Sequence, residues 1–140
     1  AAEEILDTIQ KLYFNHPDTI YLKIILEANS NNNIEALNLL SSLMDNWKNY
    51  KYESNLGHNL DDLLVLNADL LLALNDIEAA HTLYTTALNF NNYNAYACYG
   101  AGLCFKYNDF IDDAIKMFEF AIKLKPDFIE AEKQIAEINN

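Results

Sequence analysis

Residues 61 to 94 read DDLLVLNADLLLALNDIEAAHTLYTTALNFNNYN, and residues 95 to 128 read AYACYGAGLCFKYNDFIDDAIKMFEFAIKLKPDF. Laid over one another without a gap, at an offset of 34 residues, they pair Ala68 with Gly102, Ala80 with Ala114, Tyr84 with Phe118 and Ala87 with Ala121. Leu71 meets Phe105 and Ile77 meets Ile111 in the same register. Small residues and aromatics that coincide at one offset mark an internal repeat. A period of this length belongs to units that bury their apolar faces by stacking on one another.

The period and these residue types resemble the tetratricopeptide repeat (TPR). In that family a small residue at position 8 lets helix A approach helix B, alanines at 20 and 27 pack helix B against its neighbours, and an aromatic at 24 fills the space between. Those roles fall here to Ala68 and Gly102, Ala80 and Ala114, Ala87 and Ala121, and Tyr84 and Phe118. The family's proline at position 32 is Pro126 in the later repeat, where it would stop helix B after Lys123 to Lys125 complement the dipole. Departures are Asn92 for that proline in the earlier repeat, Cys98 for a large residue at position 4, and Asn67 and Ala101 where leucine is common. The resemblance implies an all-α fold, a right-handed superhelical solenoid of antiparallel helix hairpins. It would hold about two and a half to three and a half repeats plus a terminal helix.

Upstream, Ile34-Glu35-Ala36-Leu37 with Leu40 and Leu43 looks like another helix B, with Ala36 at position 20 and residues 18–28 as its helix A. Ala36 to Ala80 is 44 residues, ten more than one period. The surplus is assigned to 46–60, a polar, Gly57-containing stretch read as an extended loop. Residues 3–14 form a helix ending at Asn15-His16-Pro17-Asp18, like the Lys125-Pro126-Asp127 exit, so the chain is read as a fragment of a longer protein. Residues 128–138 carry one apolar stripe, suited to a capping helix or to helix A of a further repeat. The expected helices are 3–14, 18–29, 33–46, 61–74, 77–90, 95–107, 110–124 and 128–138. They make one helical domain over 1–140, divided as 1–16, 17–45 (a divergent repeat), 46–60, 61–94, 95–128 and 129–140.

The chain's 140 residues are 51% apolar, enough to bury a core. Twenty-one acids face nine lysines and no arginine, for a net charge of -12. From Lys51 to Lys106 there is no basic side chain between, while Asp61, Asp62, Asp69, Asp76 and Glu78 give the repeat at 61–94 a net of -5. Nucleic acid and anionic membrane surfaces are disfavoured as partners, since both need clustered cations. Cys98 and Cys104 show no disulfide or CxxC pattern, and residues 1–6 are acidic where a signal peptide is basic. A soluble cytoplasmic or nuclear setting is expected.

In the family, positions 2, 5, 9, 12 and 13 of helix A face a concave groove. Carried over, these are Asp62, Val65, Asp69, Leu72 and Ala73, then Tyr96, Tyr99, Leu103, Lys106 and Tyr107, with Glu130, Lys133 and Glu137 from the last helix. The resemblance implies a tyrosine-rich, acid-flanked groove for an apolar or basic protein segment. Val65 and Leu72 could equally be core, and Tyr99 and Tyr107 could equally pack between helices. The acids at 61, 62, 76 and 78 are explained as helix starts. Relatives that hold the EEVD tails of chaperones use lysines and asparagines at five positions. Here those are Val65, Asp69, Gly100, Glu130 and Gln134 in one frame, with Leu66, Tyr96 and Gly100 at the later positions in the other, so an EEVD-type tail is disfavoured.

His16, His58 and His81 are dispersed, and no phosphate loop, HExxH or GxSxG is present. No catalytic residue, metal or cofactor is expected, and the chain is read as non-enzymatic. The function expected is a protein-interaction module or scaffold. The alternative is a chaperone-like protein that shields a basic or aggregation-prone client, and self-association through open repeat ends is a third reading, leaving the oligomeric state open.

Overall fold

The computed structural model describes residues 2–5, 17–49 and 59–140, and their regular structure is helical throughout. The chain divides into two compact units, Ala1–Asn59 and Leu60–Asn140. In the first, α1 (Pro17–Asn29) and α2 (Asn33–Asn49) form a hairpin. Proline opens α1, where a missing N–H costs nothing. Ile24, Ala36, Leu40 and Leu43 are buried, with Ala36 wholly so, as a position-20 residue should be. Residues 2–5 are helical, and the rest of the helix expected over 3–14 lies outside the described residues. Residues 46–49, expected as the start of a loop, are helical instead, because α2 continues to Asn49. Asn46 to Asn49 include no glycine or proline, and ordinary polar residues cost a helix little. The remainder of that segment, up to 58, lies outside the described residues.

The second unit runs α3 (Leu60–Ala73), α4 (Ile77–Phe90), α5 (Ala95–Tyr107), α6 (Ile111–Leu124) and α7 (Ile129–Asn139), each within a residue of its expected bounds. Helix α4 packs on α3 and α5, α6 packs on α5 and α7, and α3 also touches α5. The A-to-B turns share one geometry. Asn31, Asn75 and Asp109 take positive φ (63, 65 and 61°). After each, the next residue's N–H closes on a carbonyl five back: Asn32 to Glu27 (2.8 Å), Asp76 to Leu71 and Phe110 to Phe105 (both 2.9 Å). This is the helix-ending motif in which Asn and Asp replace glycine at the left-handed position. The turns lie 44 and 34 residues apart, so Asn31 to Asn75 has the same surplus as Ala36 to Ala80.

Among the described residues Tyr84 and Phe118 are the largest fully buried side chains. Phe118 joins Cys98, Ala114, Ala121, Phe128 and Ala131 in one core cluster. Glycine is required where these rings meet α5. A Cβ on Gly100 would come within 2.2 Å of Tyr84 Cε1 and Cζ, and one on Gly102 within 2.6 Å of Phe118 Cε1. Cys98, small at a position where large residues are usual, is fully buried in the same cluster.

Asp61 lies in the first turn of α3, as expected of an acid at a helix start, and takes on a second role. It is 6% exposed, and its Oδ2 accepts from Asn91 Nδ2 (3.1 Å) and Asn94 Nδ2 (2.8 Å). Asn94 Oδ1 in turn accepts from Ala97 N at 3.1 Å and caps α5. A buried carboxylate needs donors, and these two amides supply them while tying α3 to the α4–α5 loop. Asp76 does cap α4, accepting from Ala79 N at 3.3 Å.

Candidate functional site: the face of α3, α5 and α7

Helix α5 carries Tyr96, Tyr99, Leu103 and Tyr107 at intervals that return to one stripe. Tyr96 and Tyr107 are 54% and 58% exposed, while Tyr99 and Leu103 are half-buried. Tyr99 is largely a packing residue, with ring centroids 5.7 Å from Phe118 and 5.0 Å from Phe128. Burial holds its hydroxyl above the usual tyrosine range, although a bond with Gln134 of α7 works the other way. Tyr96 leans on Phe128 at 5.3 Å, and Lys125 Nζ lies 5.1 Å from the Tyr96 centroid and 4.8 Å from that of Phe128. Lys106 is already engaged, since its Nζ donates to Gln134 Oε1 (2.6 Å) and Glu137 Oε2 (3.2 Å), fastening α5 to α7. Lys133 and Glu130 are exposed on α7.

On α3, Val65 is 8% exposed and so belongs with the core among the two readings open to it. Leu72 and Asp62 are half-buried, and Ala73 is exposed. Asp69 is exposed, yet its Oδ1 accepts a short hydrogen bond from the hydroxyl of Tyr84, a residue of α4. Tyr84 reaches it because its ring lies against Gly100. Burial pushes the Asp69 carboxyl from 3.8 up to about 6, and the tyrosine bond only partly opposes this. The same surroundings raise the Tyr84 hydroxyl, first by burial and then by the neighbouring carboxylate.

A carboxyl raised on folding binds more protons in the folded than in the unfolded chain between the two values. Its contribution therefore falls as pH rises from about 4 to about 6 and is flat above. Asp69→Asn is expected to gain stability relative to wild type across that window, measured as the difference in urea midpoints. Carboxyl NMR should show Asp69 titrating near 6, and a midpoint near 4 would contradict the burial.

Sequence reasoning missed a depression of about 590 Å³ lined by Glu78, His81, Thr82, Thr85, Thr86 and Asn108. Its hydroxyls are turned inward: Thr82 donates to Glu78 O (3.1 Å), Thr85 to His81 O (2.9 Å) and Thr86 to Thr82 O (2.8 Å). His81 packs edge-on to Phe105 at 4.7 Å. Threonines four apart on a B helix were the available signal, but such residues bond their own helix. Burial raises both cysteine thiols to about 11, so they stay protonated. Among the described residues no three His, Cys, Asp or Glu side chains converge as a metal site. No described helix is long and apolar enough to cross a membrane.

Comparison with solved structures shows what this arrangement is. MamA superposes with a TM-score of 0.70 at 20% identity, over 95% of this chain and 72% of that one. The first TPR of Spaghetti (RPAP3), bound to the HSP90 peptide SRMEEVD, gives 0.73 at 17% identity, over 88% and 90%. YrrB, a TPR protein with an unusual peptide-binding site, gives 0.71 at 17%, over 96% of this chain and 64% of its own. The fold is the tetratricopeptide-repeat fold. No protein-family model and no curated protein matches the sequence. In TPR terms α3, α5 and α7 occupy the places of successive A helices, and α4 and α6 those of B helices.

Proposed function

We propose that the chain is a protein-interaction module whose A-helix face takes a segment of a partner protein. The observation that carries this reading is the exposure of Tyr96 and Tyr107, two large rings on one stripe of α5 with half-buried Leu103 between them. Tyrosine gives large contact area with a polar tip at low entropic cost. Binding is burial of an apolar segment against a preformed surface and needs no covalent step. Charge sets the partner's sign: Asp62, Asp69, Glu130 and Glu137 border the stripe, while of the lysines near it Lys106 is held by α7 and Lys125 lies over the Tyr96 and Phe128 rings.

Nine-residue random peptides displayed against the immobilised chain test this. Selected peptides should bind the Tyr96→Ala/Tyr107→Ala double variant at least about tenfold more weakly, a loss of roughly 1.4 kcal/mol. Equal binding to that variant would move the site elsewhere. The acid positions also set an expectation for SRMEEVD, the peptide held by RPAP3. Fluorescence polarisation should find no binding below roughly 100 µM, because Asp69 and Glu130 stand where an acidic tail needs amides and cations.

A further inference from the structure

The two repeats in the second unit are built with different chemistry at corresponding places. In the earlier one, Tyr84 of the B helix passes beside Gly100 and delivers its hydroxyl to Asp69. In the later one the same register holds Phe118, set against Gly102, and Leu103, so ring and wall are both apolar. The contrast continues at the repeat exit, where Asp61 is held by Asn91 and Asn94. The equivalent of Asn94 is Phe128, buried against Tyr96 and Tyr99. One repeat thus presents a carboxylate on this face, and the next presents rings and leucine.

Among the described residues no cationic side chain pairs with Asp69. Among the described residues the group bonded to it is the neutral hydroxyl of Tyr84, through Oδ1. A neutral donor orients a carboxylate but leaves its charge uncompensated, and the partial burial that raises this carboxyl makes a cation there more valuable than at an open surface. Tyr84 is fully buried and fixed by packing, so the oxygen it holds is preorganised, and the exposed side of Asp69 is open to a ligand.

We propose that Asp69, held by Tyr84, is a cation subsite that takes a lysine or arginine side chain of the bound segment, with an apolar side chain of that segment on α5 beside Leu103. This rests on the reading of the A-helix face as the binding surface. Neighbouring helix axes lie about 8–10 Å apart and an extended chain advances about 3.3 Å per residue, so the two side chains should be about three residues apart. Charge complementarity selects the occupant: a basic and apolar stretch of another protein, not an acidic tail.

The same display library decides the matter, using wild type, Asp69→Asn, Tyr84→Phe and the Tyr96→Ala/Tyr107→Ala variant. Asparagine is isosteric and phenylalanine keeps the ring against Gly100, so both variants should fold, as circular dichroism will verify. Most peptides selected on wild type should carry Lys or Arg at one fixed position, with an apolar residue about three positions away. Asp69→Asn should weaken them about tenfold or more and abolish the basic preference, and Tyr84→Phe should weaken them less, by freeing the carboxylate. Peptides without a fixed basic residue, or bound as tightly by Asp69→Asn, overturn the subsite while leaving the face intact if the double variant still loses them. Peptides indifferent to the double variant, or no selection on wild type, overturn both.

Discussion

Phe118→Ala is expected to remove about 3–5 kcal/mol of folding stability. Phe118 is fully buried and central to the cluster of Cys98, Ala114, Ala121, Phe128 and Ala131. Four of these five neighbours are alanines and a cysteine, too short to reach into the space a ring leaves. The cost should therefore lie in the cavity-forming range and not at the lower transfer value. Tyr99, whose ring stacks on Phe118 at 5.7 Å, would lose its support as well. Urea denaturation followed by circular dichroism gives the number, and a loss under about 1 kcal/mol would show that the cluster collapses around the gap.

Gly100→Ala is expected to destabilise by about 1–3 kcal/mol, although alanine is the better helix former by about 1 kcal/mol. The added methyl would stand 2.2 Å from two ring atoms of Tyr84 and 2.7 Å from a third. A fully buried tyrosine cannot give way as the end of a lysine can, so ring and helix must separate. Separation also pulls the hydroxyl from Asp69, so the NMR midpoint of that carboxyl should move together with the stability. Gly100→Ala should cost less in a Tyr84→Ala background than in wild type, because the clash partner is gone. A Gly100→Ala protein more stable than wild type would mean that propensity outweighs packing here.

The repeat was legible because helix pairing by close approach can be met by few residue types. Alanine at 68, 80, 87, 114 and 121 and glycine at 102 occupy places where a larger side chain would hold two helices apart, and the 34-residue offset follows from them. The turns were more legible than was recognised. Asn31, Asn75 and Asp109 all sit at the left-handed position, and any one would have located the other two. The end of α2 is not legible in composition: Asn46, Lys48 and Asn49 read as loop residues, yet no glycine or proline interrupts them and they stay helical.

The candidate face was legible only as a register. Register assigned Asp62, Val65, Asp69, Leu72, Tyr96, Tyr99, Leu103, Lys106, Tyr107 and Lys133 to one side. It could not rank them, because a position's use depends on what the neighbouring helix brings. Val65 went to the core, Lys106 was taken by Gln134 and Glu137, and Tyr99 was drawn between Phe118 and Phe128. Asp61 and Asp69, alike in sequence as acids of one helix, ended with different surroundings: a pair of amide donors for one, a tyrosine hydroxyl for the other.

By itself, then, the sequence determined the helical class, the repeat period, the register of each helix and the sign of the charge, since all of these follow from local spacing and composition. Only the tertiary structure decided which of the face's side chains are spent on holding helices together and which remain exposed. That choice is made by contacts between residues 15 to 33 positions apart, such as Asp69 with Tyr84, Lys106 with Gln134, and Asp61 with Asn94, and no local pattern encodes them.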